Sequence, residues 1–223
     1  MTSTPFGFSK EQIQILKSGG INDEMASFLE WEASTWSISK SIEIGVASGI
    51  GSNAIIKGGS PEHHGVDINT RFYRDKNFPT GALALHHQAF YLHIGTVKDV
   101  IQEIPKVNFV YIDADHRHPF PTLDLWNMEI TDHLEYPFKL ILDDIGLAIA
   151  YRKSGFPYRG PLILKNALES HFHQELSPEI DMRGIPWPNQ CSFVVDNSRN
   201  LRESLLQSFS FPFEAELDPA QVL

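Results

Sequence analysis

From residue 39 onward, short apolar runs alternate with longer stretches of helical composition, and this alternation constrains the fold more than any other feature. The runs are rich in Ile and Val and mostly lack polar alternation, as in strands that a parallel sheet buries on both faces. The segments between them are long enough for crossover helices, so the pattern predicts a doubly wound α/β fold. The predicted strands cover 41–46, 64–68, 91–94, 109–112 and 140–142, and the predicted helices between them cover 52–58, 75–88, 96–104 and 122–133.

Two further helices are predicted before the first run. Ser9 can cap a helix over residues 10–17, and Asn22 or Asp23 can cap a second one that continues to Trp36. The second helix carries an aromatic-rich stripe, which is typical of a core face or of a contact between subunits. The sequence therefore leaves a homo-oligomer as one possibility.

After the last run, the pattern predicts a helix at 160–172, a loop at 178–189 and a late strand at 191–195. The length of 223 residues suits one generous domain. We expect a single domain with a helical extension over 1–38 and, over 39–223, a mostly parallel Rossmann-like sheet with helices on both faces.

Composition limits the partners of this chain. Its formal net charge is −10, from 18 basic and 28 acidic side chains, whereas a surface that follows nucleic-acid phosphates needs a positive field. No apolar run approaches the about 20 residues that a membrane helix needs. The single cysteine, Cys191, excludes an internal disulfide and fits a reducing compartment, so we expect a cytoplasmic protein. These features favour a small-molecule substrate over nucleic acid or a membrane.

A glycine turn follows the first predicted strand. Gly45 leaves room for a ligand against the backbone, and Gly49 permits a tight turn into the next helix. The stretch from Gly49 to Ala54 also fits the G-x-G-x-x-A form of the dinucleotide fingerprint. The stretch from Gly45 to Gly51 also resembles the glycine turn of short-chain dehydrogenases. That resemblance implies a Tyr-x-x-x-Lys pair, and Tyr136 and Lys139 have the wrong spacing for an NAD(P)-dependent oxidoreductase of this type. A plain structural turn is the remaining alternative.

Asp67 ends the second predicted strand, where a carboxylate can accept both ribose hydroxyls of a nucleotide. This position does not separate an adenosyl group from NAD, and a helix-capping aspartate is the simpler alternative. The neighbouring His63 and His64 are expected to be surface histidines, because they lack the spacing of a metal pair.

Acidic residues follow two later strands. Asp113 stands directly after the fourth run, and Asp143 and Asp144 follow the fifth. Carboxylates that converge at one sheet edge repel one another unless a cation, a proton or hydrogen bonds compensate them. Oxygen ligands of this kind suit Mg²⁺, so we predict a metal site at Asp113, Asp143 and Asp144, with helix capping as the alternative.

These motifs resemble a known family. The pattern Glu43-x-Gly45-x-x-x-Gly49 resembles motif I of class I methyltransferases, which use S-adenosylmethionine. The segment Asp113-Ala-Asp-His116, together with Asp143-Asp144, is similar to metal-dependent O-methyltransferases of the catechol O-methyltransferase and macrocin O-methyltransferase types.

The resemblance implies roles for individual residues. Glu43, with Gly45 and Gly49, would hold the methionine end of the cofactor, and Asp113 would serve both cofactor and metal. Gly95 and Thr96 would line the adenine pocket, although they also fit a turn and a helix cap. His116 would be the base; it replaces the lysine of the catechol type, and its pKa range suits the task.

The sequence thus predicts methyl transfer from S-adenosylmethionine to a hydroxyl oxygen of a small molecule, with Mg²⁺ assistance. An NAD(P)-dependent oxidoreductase and a non-catalytic adenosyl-binding protein are the alternatives. Residues 145–159, which mix aromatic and basic side chains, are predicted to form an acceptor-binding lid or an ordinary surface loop.

Overall fold

The structure is a computed structural model that describes residues 8–18, 21–146, 158–177, 179–182 and 185–212. The chain divides into two compact units, Met1–Ile104 and Pro105–Leu223. Seven strands, mostly parallel, form the main sheet, and helices accompany them in both units. The predicted doubly wound, Rossmann-like α/β fold is confirmed.

The first unit contains three parallel strands in the order β3-β2-β1. Every residue of β1 is buried, including the polar Ser41 and Glu43 that alternate with its two isoleucines. The two predicted N-terminal caps are confirmed: Ser9 forms a capping box with Gln12, and the Asn22 side chain accepts from the backbone of Met25. The elements are α1 (Lys10–Lys17), α2 (Asp23–Thr35), β1 (Ser41–Ile44), α3 (Ile50–Lys57), β2 (His63–Asp67), β3 (Phe90–Ile94), α4 (Val97–Val100) and a 3₁₀ turn at Ile101–Glu103.

The predicted helix at 75–88 is wrong, because this segment forms a series of turns. Pro79 lacks a backbone donor and makes an isolated bridge with Arg71 instead. Gly81 adopts a φ of +73°, and its backbone N–H donates to the carbonyl oxygen of Ala47 at 2.9 Å. The backbone groups that a helix would use are therefore bonded elsewhere.

In the second unit the strand order is β4-β5-β9-β6. The first pair is parallel, whereas β9 runs antiparallel to both β5 and β6. Phe109, Leu140 and Phe193 are among the fully buried apolar side chains of this unit. The elements are β4 (Val107–Ile112), α5 (Phe120–Ile130), β5 (Leu134–Leu142), α6 (Gly160–Leu168), β6 (Gln174–Leu176), β7 (Glu179–Met182), β8 (Ile185–Pro188), β9 (Cys191–Val195) and α7 (Ser198–Phe209).

Strands β7 and β8 overturn the prediction of a loop at 178–189. They form a separate two-stranded antiparallel ribbon in which Asp181 pairs with Pro186 and Glu179 with Pro188. Each strand of such a ribbon has one edge without a partner strand, and proline is tolerated there because its missing N–H can face away from the ladder. Two prolines therefore do not exclude a strand in this setting.

No helix in the described part of the chain combines the length and the apolar character needed to cross a membrane.

Candidate active site

The glycine turn after β1 has an unusual backbone. Gly45 and Gly49 adopt φ angles of +93° and +86°, and Ala47 between them has a φ of +48°. A Cβ on Gly49 would lie 3.0 Å from the backbone of Gly81, so this position needs glycine both for its conformation and for space. The turn thus presents bare backbone at the carboxyl end of β1, as the sequence predicts.

Asp67, at the end of β2, faces this turn. One carboxylate oxygen accepts from the backbone N–H groups of Val46 and Ala47 at 3.1 and 3.0 Å, and the other accepts from the N–H of Asn69 at 2.8 Å. The carbonyl oxygen of Asp67 accepts from the N–H of Gly95 after β3 at 2.9 Å. The structure therefore brings Gly45, Asp67 and Gly95 to the same ends of the parallel strands within the first unit, where nucleotides bind in such folds.

Glu43 lies inside the first unit, only 1% exposed. The Ser52 hydroxyl donates to its carboxylate, and His63 Nε2 lies 3.6 Å away. Burial raises the pKa of Glu43 to about 8. Glu43 is therefore a buried residue bonded to Ser52, and its contact with a cofactor remains a prediction.

The expectation that His63 and His64 are surface histidines is wrong. His63 is completely buried, and its Nδ1 lies 2.7 Å from the Ser41 hydroxyl. Burial lowers the pKa of His63 to about 3, so the ring is neutral at ordinary pH. His64 is 4% exposed. Both residues belong to β2, in which four of the five residues are buried. Two adjacent histidines in a sequence do not by themselves indicate that burial.

Thr96 is a helix cap in this structure. Its hydroxyl donates to Asp99 at 2.6 Å, and the same carboxylate oxygen accepts from the backbone N–H of Thr96 at 3.1 Å. The alternative that the sequence left open for Thr96 is thus correct at the level of local structure. Contacts of Gly95 and Thr96 with adenine stay predictions.

In the second unit, Asp113, His116 and Asp144 gather at the carboxyl ends of β4 and β5. Each offers one ligand atom, and the three atoms lie within 4.8 Å of one another. His116 Nε2 is 2.9 Å from Asp144 Oδ2 and 3.9 Å from Asp113 Oδ1. Two carboxylates and an imidazole are a donor set that fits a divalent cation.

The charges in this group influence one another. Burial alone would lower the pKa of His116, but the hydrogen bond and the charge of Asp144 outweigh it, and the pKa lies above the usual value. Burial alone would raise the pKa of Asp144, but its bond with His116 outweighs that effect, and the pKa lies below the usual value. The contact between His116 and Asp144 therefore favours the charged forms of both groups.

Asp143 was predicted as a third acidic ligand, and the structure does not bring it into this group. It is 1% exposed and accepts hydrogen bonds from the hydroxyl of Tyr111 and from the amides of Asn189 and Gln190, the latter two at 3.0 and 3.2 Å. Burial, assisted by the charge of Asp144, raises the pKa of Asp143 to about 7. The Asp143 carboxylate is thus hydrogen-bonded to buried side chains, and its role as a metal ligand remains a prediction.

Three supporting residues were missed in the sequence. Tyr111 lies on β4, two positions before Asp113, which directly follows the strand, so the period of two could have placed their side chains on one face. Asn189 donates to both Asp143 and Asp144, at 3.0 and 2.9 Å. It precedes β9 with Gln190, and no local signal links that segment to the acids 45 residues earlier.

Asp144 has a strained backbone, with a φ of +55°. Aspartate tolerates this left-handed region better than most residues, and such conformations gather at functional sites. Asp115, in contrast, is paired with Arg117, whose guanidinium lies 2.5 Å from its carboxylate. Asp144 is therefore the acid that orients His116.

Tyr158 lies near the C-terminal end of the predicted lid, and its ring centroid lies 6.3 Å from that of His116. Residues 147–157, which make up most of that predicted lid, lie outside the described residues.

Comparison with known proteins concerns the fold. Neither a protein-family model nor a curated protein matches the sequence. Among solved structures, cofactor-bound Rv0187 from MTB superposes with a TM-score of 0.65 at 13% identity, covering 87% of this chain and 94% of that one. The O-methyltransferase TomG from Streptomyces achromogenes, in complex with S-adenosylmethionine, gives 0.61 at 12% identity and covers 85% and 91%. The O-methyltransferase from Bacillus cereus, in complex with S-adenosylhomocysteine, gives 0.62 at 14% identity and covers 82% and 86%.

This chain has the fold of class I O-methyltransferases. The identities of 12% to 14% to these three structures establish the fold alone. The part played by each residue has to be argued from its own surroundings.

Proposed function

We propose that this protein transfers a methyl group from S-adenosylmethionine to a hydroxyl oxygen of a small molecule, with the help of a divalent cation. The observation that carries the proposal is the gathering of Asp113, His116 and Asp144 at the strand ends of a methyltransferase fold. In open α/β sheets, ligands bind beyond exactly these ends of the strands.

The cofactor half of the proposal rests on the first unit. The backbone at Gly45 and Gly49 leaves space for the methionine end of the cofactor, and the Asp67 carboxylate can accept the ribose hydroxyls. TomG and the Bacillus cereus enzyme contain S-adenosylmethionine and S-adenosylhomocysteine, and this likeness favours the adenosyl cofactor over NAD(P).

Methyl transfer requires little covalent chemistry from the protein. The hydroxyl oxygen forms a bond to the methyl carbon while the carbon–sulfur bond breaks, and the hydroxyl proton leaves to a base or to water. The protein contributes mainly by aligning the two reactants. A bound divalent cation would lower the pKa of the acceptor hydroxyl and hold its oxygen in place.

The residues present fit such a cation. Asp113 and Asp144 supply oxygen ligands, and the amide of Asn189 fixes the Asp144 carboxylate. His116 has two candidate roles, third ligand or proton acceptor. An imidazole ligand favours Mn²⁺ over Mg²⁺, whereas a set of two carboxylates and water suits Mg²⁺.

Cofactor binding distinguishes this proposal from its alternatives. We expect calorimetric titration with S-adenosylhomocysteine to give saturable one-to-one binding, and NAD⁺ and NADP⁺ to give none under the same conditions. Binding of NAD⁺ or NADP⁺ without binding of S-adenosylhomocysteine would favour the oxidoreductase. If S-adenosylhomocysteine binds but no hydroxyl acceptor in a broad panel gains a methyl group with Mg²⁺ or Mn²⁺ present, the non-catalytic alternative is favoured.

A further inference from the structure

A row of four ionisable side chains crosses the last two strands of the first unit, separate from the acids of the candidate active site. His64 lies on β2 and His93 on β3, and His64 Nδ1 is 3.0 Å from His93 Nε2. Glu62 Oε1 lies 3.0 Å from the other ring nitrogen of His64, and Glu103 Oε2 lies 3.3 Å from the other ring nitrogen of His93. In each ring, the nitrogen that does not face the other imidazole therefore contacts a carboxylate.

Two neutral imidazoles supply only two N–H groups for the three contacts of this row, so one further proton, or a metal cation in its place, is needed to satisfy all three. A neutral imidazole has one N–H and one lone pair, and an ionised carboxylate can only accept. Lys40 Nζ lies 3.2 Å from the same oxygen of Glu62, so this carboxylate contacts both an ammonium group and the His64 ring. If each ring donates to the carboxylate behind it, His64 Nδ1 and His93 Nε2 direct two lone pairs at each other.

With both rings donating to their carboxylates, a metal cation between the two nitrogens would bind both lone pairs. Imidazole nitrogen binds Zn²⁺ at about 2.0–2.1 Å, so two such ligands of one ion are separated by about 2.8–3.4 Å between right-angled and tetrahedral geometry. The observed separation of 3.0 Å lies within this range. A carboxylate behind each imidazole is also the arrangement that orients histidine ligands in metal sites.

We propose that His64 Nδ1 and His93 Nε2 form a site for a divalent transition-metal ion that prefers imidazole, such as Ni²⁺, Cu²⁺ or Zn²⁺. Water completes the coordination, and Glu62 and Glu103 hold the two rings in orientation. The side chains of His64 and His93 are 6% and 12% exposed, so the pair is largely but not completely buried. The donor set is nitrogen, unlike the carboxylate-rich group at Asp113 and Asp144, which makes the two sites separable by metal type.

Titration with NiCl₂ tests this site. The experiment uses the full chain with His116→Gln, which removes the imidazole from the candidate active site. We expect one Ni²⁺ to bind, and His93→Gln added to this variant to weaken that binding at least tenfold. His87→Gln is the matched control, because the rings of His86 and His87 also lie close together, 3.8 Å between centroids. The control should leave the affinity within twofold.

Two results would overturn the proposal: unchanged Ni²⁺ affinity in the His93→Gln variant, or no binding at millimolar Ni²⁺ in the parent. A second measurement avoids any folding defect of a histidine variant. Electron paramagnetic resonance of the His116→Gln protein loaded with one Cu²⁺ should show nitrogen couplings from two imidazoles. Couplings from one imidazole or from none would contradict the site.

Discussion

At the scale of single residues, the candidate site depends on carboxylates whose surroundings differ. Asp67 is held by three backbone N–H groups beside the glycine turn. Asp144 is held by His116 and Asn189. Asp143, next to it in sequence, is bonded towards the interior. Adjacent acids in one motif can therefore have different tasks, and substitution of each tests one task.

Asp67→Asn should weaken binding of S-adenosylhomocysteine by roughly 10- to 100-fold, because one charged acceptor of hydrogen bonds is lost. The measurement is the dissociation constant by calorimetry. Asn69→Ala is the control, since Asp67 accepts from the backbone N–H of Asn69 and not from its side chain. Equal affinity in Asp67→Asn and the unsubstituted protein would remove Asp67 from the cofactor site.

Asp144→Asn should weaken Mn²⁺ or Mg²⁺ binding at least tenfold and abolish metal-stimulated methyl transfer, because a carboxylate ligand becomes a neutral amide. Binding of S-adenosylhomocysteine should persist. Asp115→Asn is the matched control, because Asp115 is paired with Arg117 outside the group of three. Methyl transfer that is insensitive to chelator in the unsubstituted protein would exclude the metal from the reaction.

At the scale of elements, the turn from β1 to α3 combines a left-handed backbone with close packing. Gly49 is the N-cap of α3, and its missing side chain lets the backbone of Gly81 approach. Gly59, just after the same helix, also has a positive φ, of +115°, but nothing lies within 4 Å of a Cβ built there. A comparison of alanine substitutions at Gly49 and Gly59 therefore distinguishes the cost of steric contact from the cost of a positive φ alone.

Gly49→Ala should destabilise the protein by more than Gly59→Ala. A positive φ strains an alanine at both positions, by roughly 1–2 kcal/mol in the left-handed region that Gly49 occupies, and the contact with Gly81 adds to this strain only at Gly49. Urea unfolding of the two variants measures the difference. An equal loss of stability in both variants would show that the close contact with the Gly81 backbone does not affect the free energy of unfolding.

At the scale of the whole molecule, the buried pair Glu43 and His63 links global stability to pH. The pKa of Glu43 is raised to about 8, so the native state keeps a proton that the unfolded chain releases above about pH 4.5. Stability from this group therefore falls as the pH rises from 4.5 to 8. The pKa of His63 is lowered to about 3, so stability from that group is lost as the pH falls below 6.5.

Glu43→Gln removes the first of these effects. We expect the free energy of unfolding of the variant, relative to the unsubstituted protein, to rise by about 1.4 kcal/mol per pH unit between pH 4.5 and 8, as linkage requires. Urea unfolding at pH 5, 6.5 and 8 measures the difference. A difference that does not change with pH would mean that Glu43 is ionised in the native state.

The sequence by itself determined the alternation of strands and helices, the caps at Ser9 and Asn22, and the acids that follow β2, β4 and β5. These features are encoded in short windows, where periodicity and side-chain chemistry act locally. Only the tertiary structure decided that residues 75–88 form turns, that β7 and β8 pair, and that His116 rather than Asp143 joins Asp113 and Asp144. Those outcomes depend on partners distant in the chain, such as Ala47 for Gly81 and Asn189 for Asp144, and no local pattern specifies them.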